Sequence, residues 1–123
     1  MIKLIYPELS YKIVGILMKI HTELWLGYQE QHYTRAVAKE LRRTNIKFEQ
    51  EKELPLKYQG ELIGKYKFDF VVENKIILEI KVADSLHSKF IKQLLSYLKS
   101  SDFKLGILVN FGKDKLEYKR LVN

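Results

Sequence analysis

The chain has 123 residues, 46% hydrophobic and 12% aromatic, which fits one domain over 1–123 with a substantial core and excludes wholesale disorder. It has no cysteine and a formal net charge of +7, so disulfides and thiolate metal sites are excluded. A charge of that sign and size suggests a polyanionic partner, most simply nucleic acid, unless it reflects no more than a lysine-rich soluble chain.

No apolar run approaches the roughly 18 residues of a membrane span. The segment Met1–Tyr6 lacks the apolar stretch of a signal peptide. The expected compartment is the cytoplasm, with no membrane partner. Repeats, low-complexity tracts and Pro/Gly-rich linkers are absent.

The first third reads as helical. Leu9, Ile13, Ile16, Leu17, Ile20 and Leu24 recur at helical spacing after Pro7 and Glu8. A break at Leu26-Gly27 leads to a second helix over about 29–44, where Tyr33, Val37 and Leu41 recur every four residues and Asn45 is the stop. The period then changes. Residues 48–58 read as extended, interrupted at Pro55, and Gln59-Gly60 as a turn. Strands are expected over 65–72 and 76–82, a third helix over about 85–100, and a last strand over 105–110. The last strand is nearly all apolar and therefore central. It is expected to run parallel to 76–82, the third helix forming the crossover. The class is α/β or α+β, with helices packed on a mixed sheet.

The informative stretch runs from Tyr66 to Lys81. Side chains alternate faces along a strand, so Phe68, Phe70 and Val72 are expected on one face, as are Ile76, Leu78 and Ile80. A hairpin that buries both sets together needs Val72 opposite Ile76. That fixes the loop as Glu73-Asn74-Lys75, with Asn74 suited to a left-handed conformation. Phe70 then faces Leu78 and Phe68 faces Ile80. On the other face Asp69 stands opposite Glu79, with Lys81 beside it. A two-residue loop would split the apolar set.

Two carboxylates facing each other across a ribbon repel unless a cation intervenes. A hard divalent ion such as Mg²⁺ takes one or two carboxylates together with water and phosphate. Lys81 would then orient the attacking water or meet the charge that develops on phosphate. The alternative is an exposed charged face on which Lys67 and Lys81 neutralise Asp69 and Glu79. Gln93 and Tyr97 stand four apart on the third helix. Glu30 shares a helix face with Tyr33 and is either a dipole partner in the first turn or a third metal-site carboxylate. Lys67, Lys89, Lys92 and Lys99 are candidate phosphate contacts. His21, His32 and His87 have no zinc-site spacing and read as structural or surface residues. Trp25 reads as an anchor for the helix junction, with Tyr28 beside it leaving base stacking open.

Together these residues resemble a known family. Gly27-x-x-Glu30-x-x-Tyr33 is similar to the pattern that names the GxxExxY proteins. Asp69, Glu79-x-Lys81 and Gln93-x-x-x-Tyr97 resemble the active-site series of the PD-(D/E)XK nuclease superfamily, in its exonuclease-like branch. The similarity runs from about Glu8 to Asn123 and includes Gly60, Gly64 and the segment Leu105–Gly112. It implies a restriction-endonuclease-like core, a small mixed sheet flanked by helices, with a Mg²⁺- or Mn²⁺-dependent phosphodiesterase centre. Glu30, Asp69 and Glu79 would be its acidic metal-site residues, Lys81 the catalytic lysine, and Gln93 and Tyr97 the supporting helix residues. The chain departs from the family at Trp25 and Leu26, where Gly or Pro is usual, and at Phe90, where His is frequent. The implied partner is nucleic acid, DNA before RNA. A second copy of the chain or a partner protein is a candidate for enclosing duplex. The competing reading is a non-catalytic nucleic-acid-binding module that retains the nuclease fold.

Overall fold

The computed structural model describes residues 4–123, so the first three residues of the Met1–Tyr6 segment lie outside it. Two helices come first, α1 (Pro7–Leu24) and α2 (Glu30–Arg43), followed by the strands β1 (Phe48–Tyr58), β2 (Glu61–Val72) and β3 (Ile76–Lys81). Then come α3 (Ser88–Ser100), β4 (Leu105–Asn110) and β5 (Glu117–Val122). The strands form one sheet in the order β1-β2-β3-β4-β5. β3 and β4 are parallel and the other neighbours antiparallel. This is an α+β fold with a five-stranded mixed sheet, consistent with the restriction-endonuclease-like core.

Alternating burial assigns each face of the sheet its helices. Phe70, Val72, Ile76, Leu78, Ile80, Ile107 and Val109 pack with Ile13, Leu17, Tyr33, Val37 and Leu41 of α1 and α2. Val71, Ile77 and Leu108 pack with Leu94, Tyr97 and Leu98 of α3 on the other face. α3 sits close to β4 because position 106 is glycine: a Cβ there would lie 2.9 Å from a methyl carbon of Leu94. β4 is buried at every residue, as its apolar run predicts for a central parallel strand.

The hairpin has the expected register, with Val72 opposite Ile76 and Phe70 opposite Leu78. Its loop is Glu73-Asn74-Lys75. Both Glu73 (φ 52°) and Asn74 (φ 54°) take left-handed conformations, and the Lys75 N–H donates to the Val72 carbonyl at 2.9 Å. The Gln59-Gly60 turn (φ 50° and 81°) and the Asn45 stop (φ 58°) also fall where expected.

Several expectations need correction. β1 is not interrupted: Pro55 pairs with Lys65 inside it, which an edge strand permits because one side of its backbone has no partner to lose. β2 starts at Glu61, β3 ends at Lys81, and α3 starts at Ser88 after an N-cap at His87. β5 was not expected at all. Phe68 does not share a face with Phe70: it lies in the α3 cluster, 5.3 Å from the Tyr97 ring, whereas Phe70 packs toward α1 and α2. The backbone is irregular there. Pairing of β2 with β3 stops at Phe70–Leu78, and on the β1 side Glu51 (φ 49°) and Asp69 drop out of the ladder.

Candidate active site

The irregularity opens a gap between β2 and β3, and two carboxylates occupy it. The Asp69 N–H donates to Glu79 Oε1 at 2.8 Å, and the Ile80 N–H donates to Asp69 Oδ2 at 2.7 Å. Where backbone pairing ends, each strand's acid therefore binds an N–H of the other strand. These two bonds satisfy buried donors and fix the orientation of both carboxylates. Oδ1 of Asp69 and Oε2 of Glu79 remain outside them.

Lys81 completes the cluster. Its Nζ lies 3.5 Å from Glu79 Oε2, with 22% and 13% of the respective side chains exposed. The same ammonium stands 4.4 Å from the centre of the Phe90 ring at the start of α3, a cation–π contact that limits its rotamers. Burial, then the Asp69 charge and the shared hydrogen bond with Asp69, push the Glu79 carboxyl up to about 8; Lys81 acts in the opposite sense. The pair thus holds a proton through neutral pH when no cation stands between its members.

Glu30 enters from the first turn of α2. Partial burial, then the Asp69 charge, raise its carboxyl above the ordinary value, with Lys81 opposing. Glu30 and Asp69 line one cleft of about 460 Å³ with Gln31, Thr34, Arg35, Gln50 and Glu51. Tyr33, one helical turn on, is buried. Its ring stacks on Phe111 at 4.6 Å and its hydroxyl donates to the Trp25 carbonyl at 2.6 Å. Gly27 (φ 99°) makes the reversal that brings α2 into this position.

The helix residues expected to support the site are placed differently from one another. Gln93 is exposed on α3. Tyr97 is 2% exposed, packed among Tyr66, Phe68 and Phe103, and its phenol is raised by that burial. Neither hydrogen-bonds to Asp69 or Glu79 among the described residues. Lys67, Lys89, Lys92 and Lys99 are all exposed. Lys89 lies 5.2 Å from the Phe90 ring centre, whereas Lys99 sits ten residues along the helix, about 15 Å away.

The support behind Lys81 comes from a residue not expected at the site. Asn110, fully buried, stands opposite Lys81 in the parallel ladder. Its Oδ1 accepts the N–H groups of Ala83 (3.0 Å) and Gly112 (2.9 Å), and its Nδ2 donates to the Ala83 carbonyl (2.9 Å) and Glu117 Oε1 (3.3 Å). Glu117 Oε1 also accepts the Leu86 N–H at 2.9 Å, and the Lys81 carbonyl accepts the Phe111 N–H at 2.9 Å. The loop from Lys81 to α3 is therefore held along its length. A lone amide ending an apolar strand was the available signal.

As the side chains stand, no three His, Asp or Glu among the described residues converge to hold an ion. Asp69 and Glu79 do fit a hard divalent cation: two oriented carboxylates, one keeping its proton because it is buried beside the other's charge, leave the other positions for water and phosphate.

Comparison with known proteins bears on the fold and the family. No curated protein matches the sequence. Among solved structures, SSO0001 is similar at a TM-score of 0.56 and 21% identity, over 96% of this chain and 57% of that one. The alkaline exonuclease LHK-Exo from Laribacter hongkongensis is similar at a TM-score of 0.53 and 11% identity, over 99% of this chain and 72% of the exonuclease. The chain thus spans little more than half the length of the first. At these identities the likeness is one of fold. The family model described as the PD-(D/E)XK nuclease superfamily matches residues 7–121, and the chain belongs to that superfamily.

Proposed function

We propose that this protein is a metal-dependent nuclease that hydrolyses phosphodiester bonds of DNA, its single domain spanning 1–123 and acting in the cytoplasm. The observation that carries the reading is the meeting of Asp69, Glu79 and Lys81 in the opening between β2 and β3. Membership of the superfamily supports it, and an alkaline exonuclease shares the fold. Within the superfamily, Gly27-x-x-Glu30-x-x-Tyr33 supports placing the chain in the GxxExxY group.

Asp69 and Glu79 would hold Mg²⁺ or Mn²⁺, with Glu30 acting on it from α2. Such an ion, when bound, lowers the pKa of water and neutralises phosphate charge. Lys81, constrained between Glu79 and Phe90, donates its N–H groups to a phosphate oxygen and meets the charge that grows on it in the transition state. Gln93 and Tyr97 serve the α3 side, Gln93 from the exposed surface and Tyr97 by fixing β2 through Phe68. Lys67, Lys89, Lys92 and Lys99 contact backbone phosphates.

The test uses end-labelled single- and double-stranded DNA with Mg²⁺ or Mn²⁺. Cleavage that vanishes with chelator and in Lys81→Ala is expected. Salt-sensitive DNA binding without cleavage in any divalent ion, unchanged by Lys81→Ala, would assign the chain as a binding module instead. Labelled RNA in the same assay decides the nucleic acid.

A further inference from the structure

The junction between α1 and α2 carries two aromatic rings that the core does not use. Trp25 is 49% exposed and Tyr28 46% exposed, although both lie in a tightly held loop. The Trp25 backbone is fixed in an unusual conformation (φ 63°, ψ −141°). Its N–H donates to the His21 carbonyl at 2.9 Å, and its own carbonyl accepts the Tyr33 hydroxyl at 2.6 Å. The ring itself contributes little to that anchoring.

Beneath it, the His21 ring lies 5.5 Å from Trp25, and His21 Nε2 is 2.7 Å from the Lys113 carbonyl, so the support is also rigid. Tyr28 meets His32 and Tyr33 edge-on, each at 6.0 Å. Half-exposed rings on a rigid base give contact area with little ordering cost, since few side-chain torsions remain to be lost.

Their position matters. Tyr28 precedes Glu30 by two residues, so their Cα atoms are at most about 7 Å apart, and Glu30 lines one cleft with Asp69. A strand that places a phosphate at Lys81 and extends past Glu30 runs beside this loop. In duplex DNA the base faces are covered by their neighbours, whereas a single strand offers them to aromatic rings. The chain's net charge of +7 complements the same ligand.

We infer that Trp25 and Tyr28 form a base-stacking platform that makes single-stranded nucleic acid, or the frayed single-stranded end of a duplex, the preferred substrate of this site. The inference rests on the nuclease reading for the direction of the strand's chemistry, but the platform acts in binding alone.

Trp25 is the single tryptophan of the chain, so its emission reports directly on stacking. The experiment titrates the full chain, in chelator, with oligo(dT) and with a blunt hairpin duplex of equal phosphate count. Strong quenching by oligo(dT) and weak quenching by the hairpin are expected. Anisotropy of labelled oligo(dT) should show binding about 5- to 100-fold weaker in Trp25→Ala and in Tyr28→Ala, with hairpin affinity within about twofold. Trp25→Phe, which keeps a ring, should restore most of the affinity. Equal quenching by both ligands, or unchanged oligo(dT) affinity in both alanine variants, overturns the platform and leaves the nuclease reading standing. Failure to bind either ligand overturns both.

Discussion

Asp69 and Glu79 face each other across the opening of the sheet, each carboxylate accepting an N–H from the other's strand, at 2.7 and 2.8 Å. The arrangement is stable in orientation and unfavourable in charge. Its hydrogen bonds use one oxygen of each acid, while burial, and after it the Asp69 charge, holds the Glu79 proton to about pH 8. A cation relieves the second effect without disturbing the first.

Asp69→Asn follows from this. Asparagine keeps an acceptor for the Ile80 N–H but removes the negative charge, so the metal-free variant should melt at or above the wild-type temperature. The wild type should gain stability with Mn²⁺, about 2.7 kcal/mol at a hundredfold excess over Kd, and the variant should lose most of that gain. Thermal melts with and without Mn²⁺ read both effects.

The pH dependence has a definite sign. Glu79 in the folded protein titrates near 8 against an ordinary value of 4.5, so between those values the native state binds the extra proton. Its contribution is fully present below about 4.5 and is lost as pH rises through about 8. Glu40, lowered first by its hydrogen bond with Arg43, acts in the opposite sense in acid. Urea midpoints in chelator should therefore fall from pH 5 to pH 8 in the wild type, and Glu79→Gln should flatten that fall.

Binding and cleavage should separate. Lys81→Ala should abolish cleavage while removing about one phosphate contact, a change of about 0.9 in the slope of log K against log salt on duplex DNA. Replacing Lys89 and Lys92 with Ala should flatten the slope by about twice that and leave the saturated rate nearly intact.

Gly112→Ala tests the support of the Lys81 loop. A Cβ at 112 would stand 2.6 Å from the Ala83 carbonyl oxygen and 2.7 Å from its nitrogen. Backbone must move to admit it, at a cost of about 1–3 kcal/mol. Urea denaturation should register the loss, and the rate should fall further because Lys81 is displaced.

How far this architecture was legible depends on what each segment buries. The Val72–Ile76 hairpin was readable because both strands alternate and only one loop length buries both apolar sets. The register also brings Asp69 and Glu79 to neighbouring positions, so their contact was visible in the spacing. Phe68 was misplaced because alternation assumes an even ladder, and no residue type announces the left-handed Glu51 beside Asp69. β5 escaped because Glu117-Tyr118-Lys119-Arg120 is an edge-strand sequence, half exposed and mostly polar. Arg120 is even turned to account in packing: its Nε donates to Ser10 Oγ at 2.8 Å and its terminal N–H to the Ile5 carbonyl. Gln93 and Tyr97 were paired by spacing, yet one is exposed and the other lies in an aromatic cluster. Helical spacing gives a shared side and leaves depth undetermined.

The most direct measurement is anomalous diffraction from a crystal of the protein soaked in Mn²⁺. A peak between the Asp69 and Glu79 carboxylates is expected, with Lys81 drawn away from Glu79. The absence of a peak there, in crystals whose soak concentration saturates other Mn²⁺ sites, would contradict it.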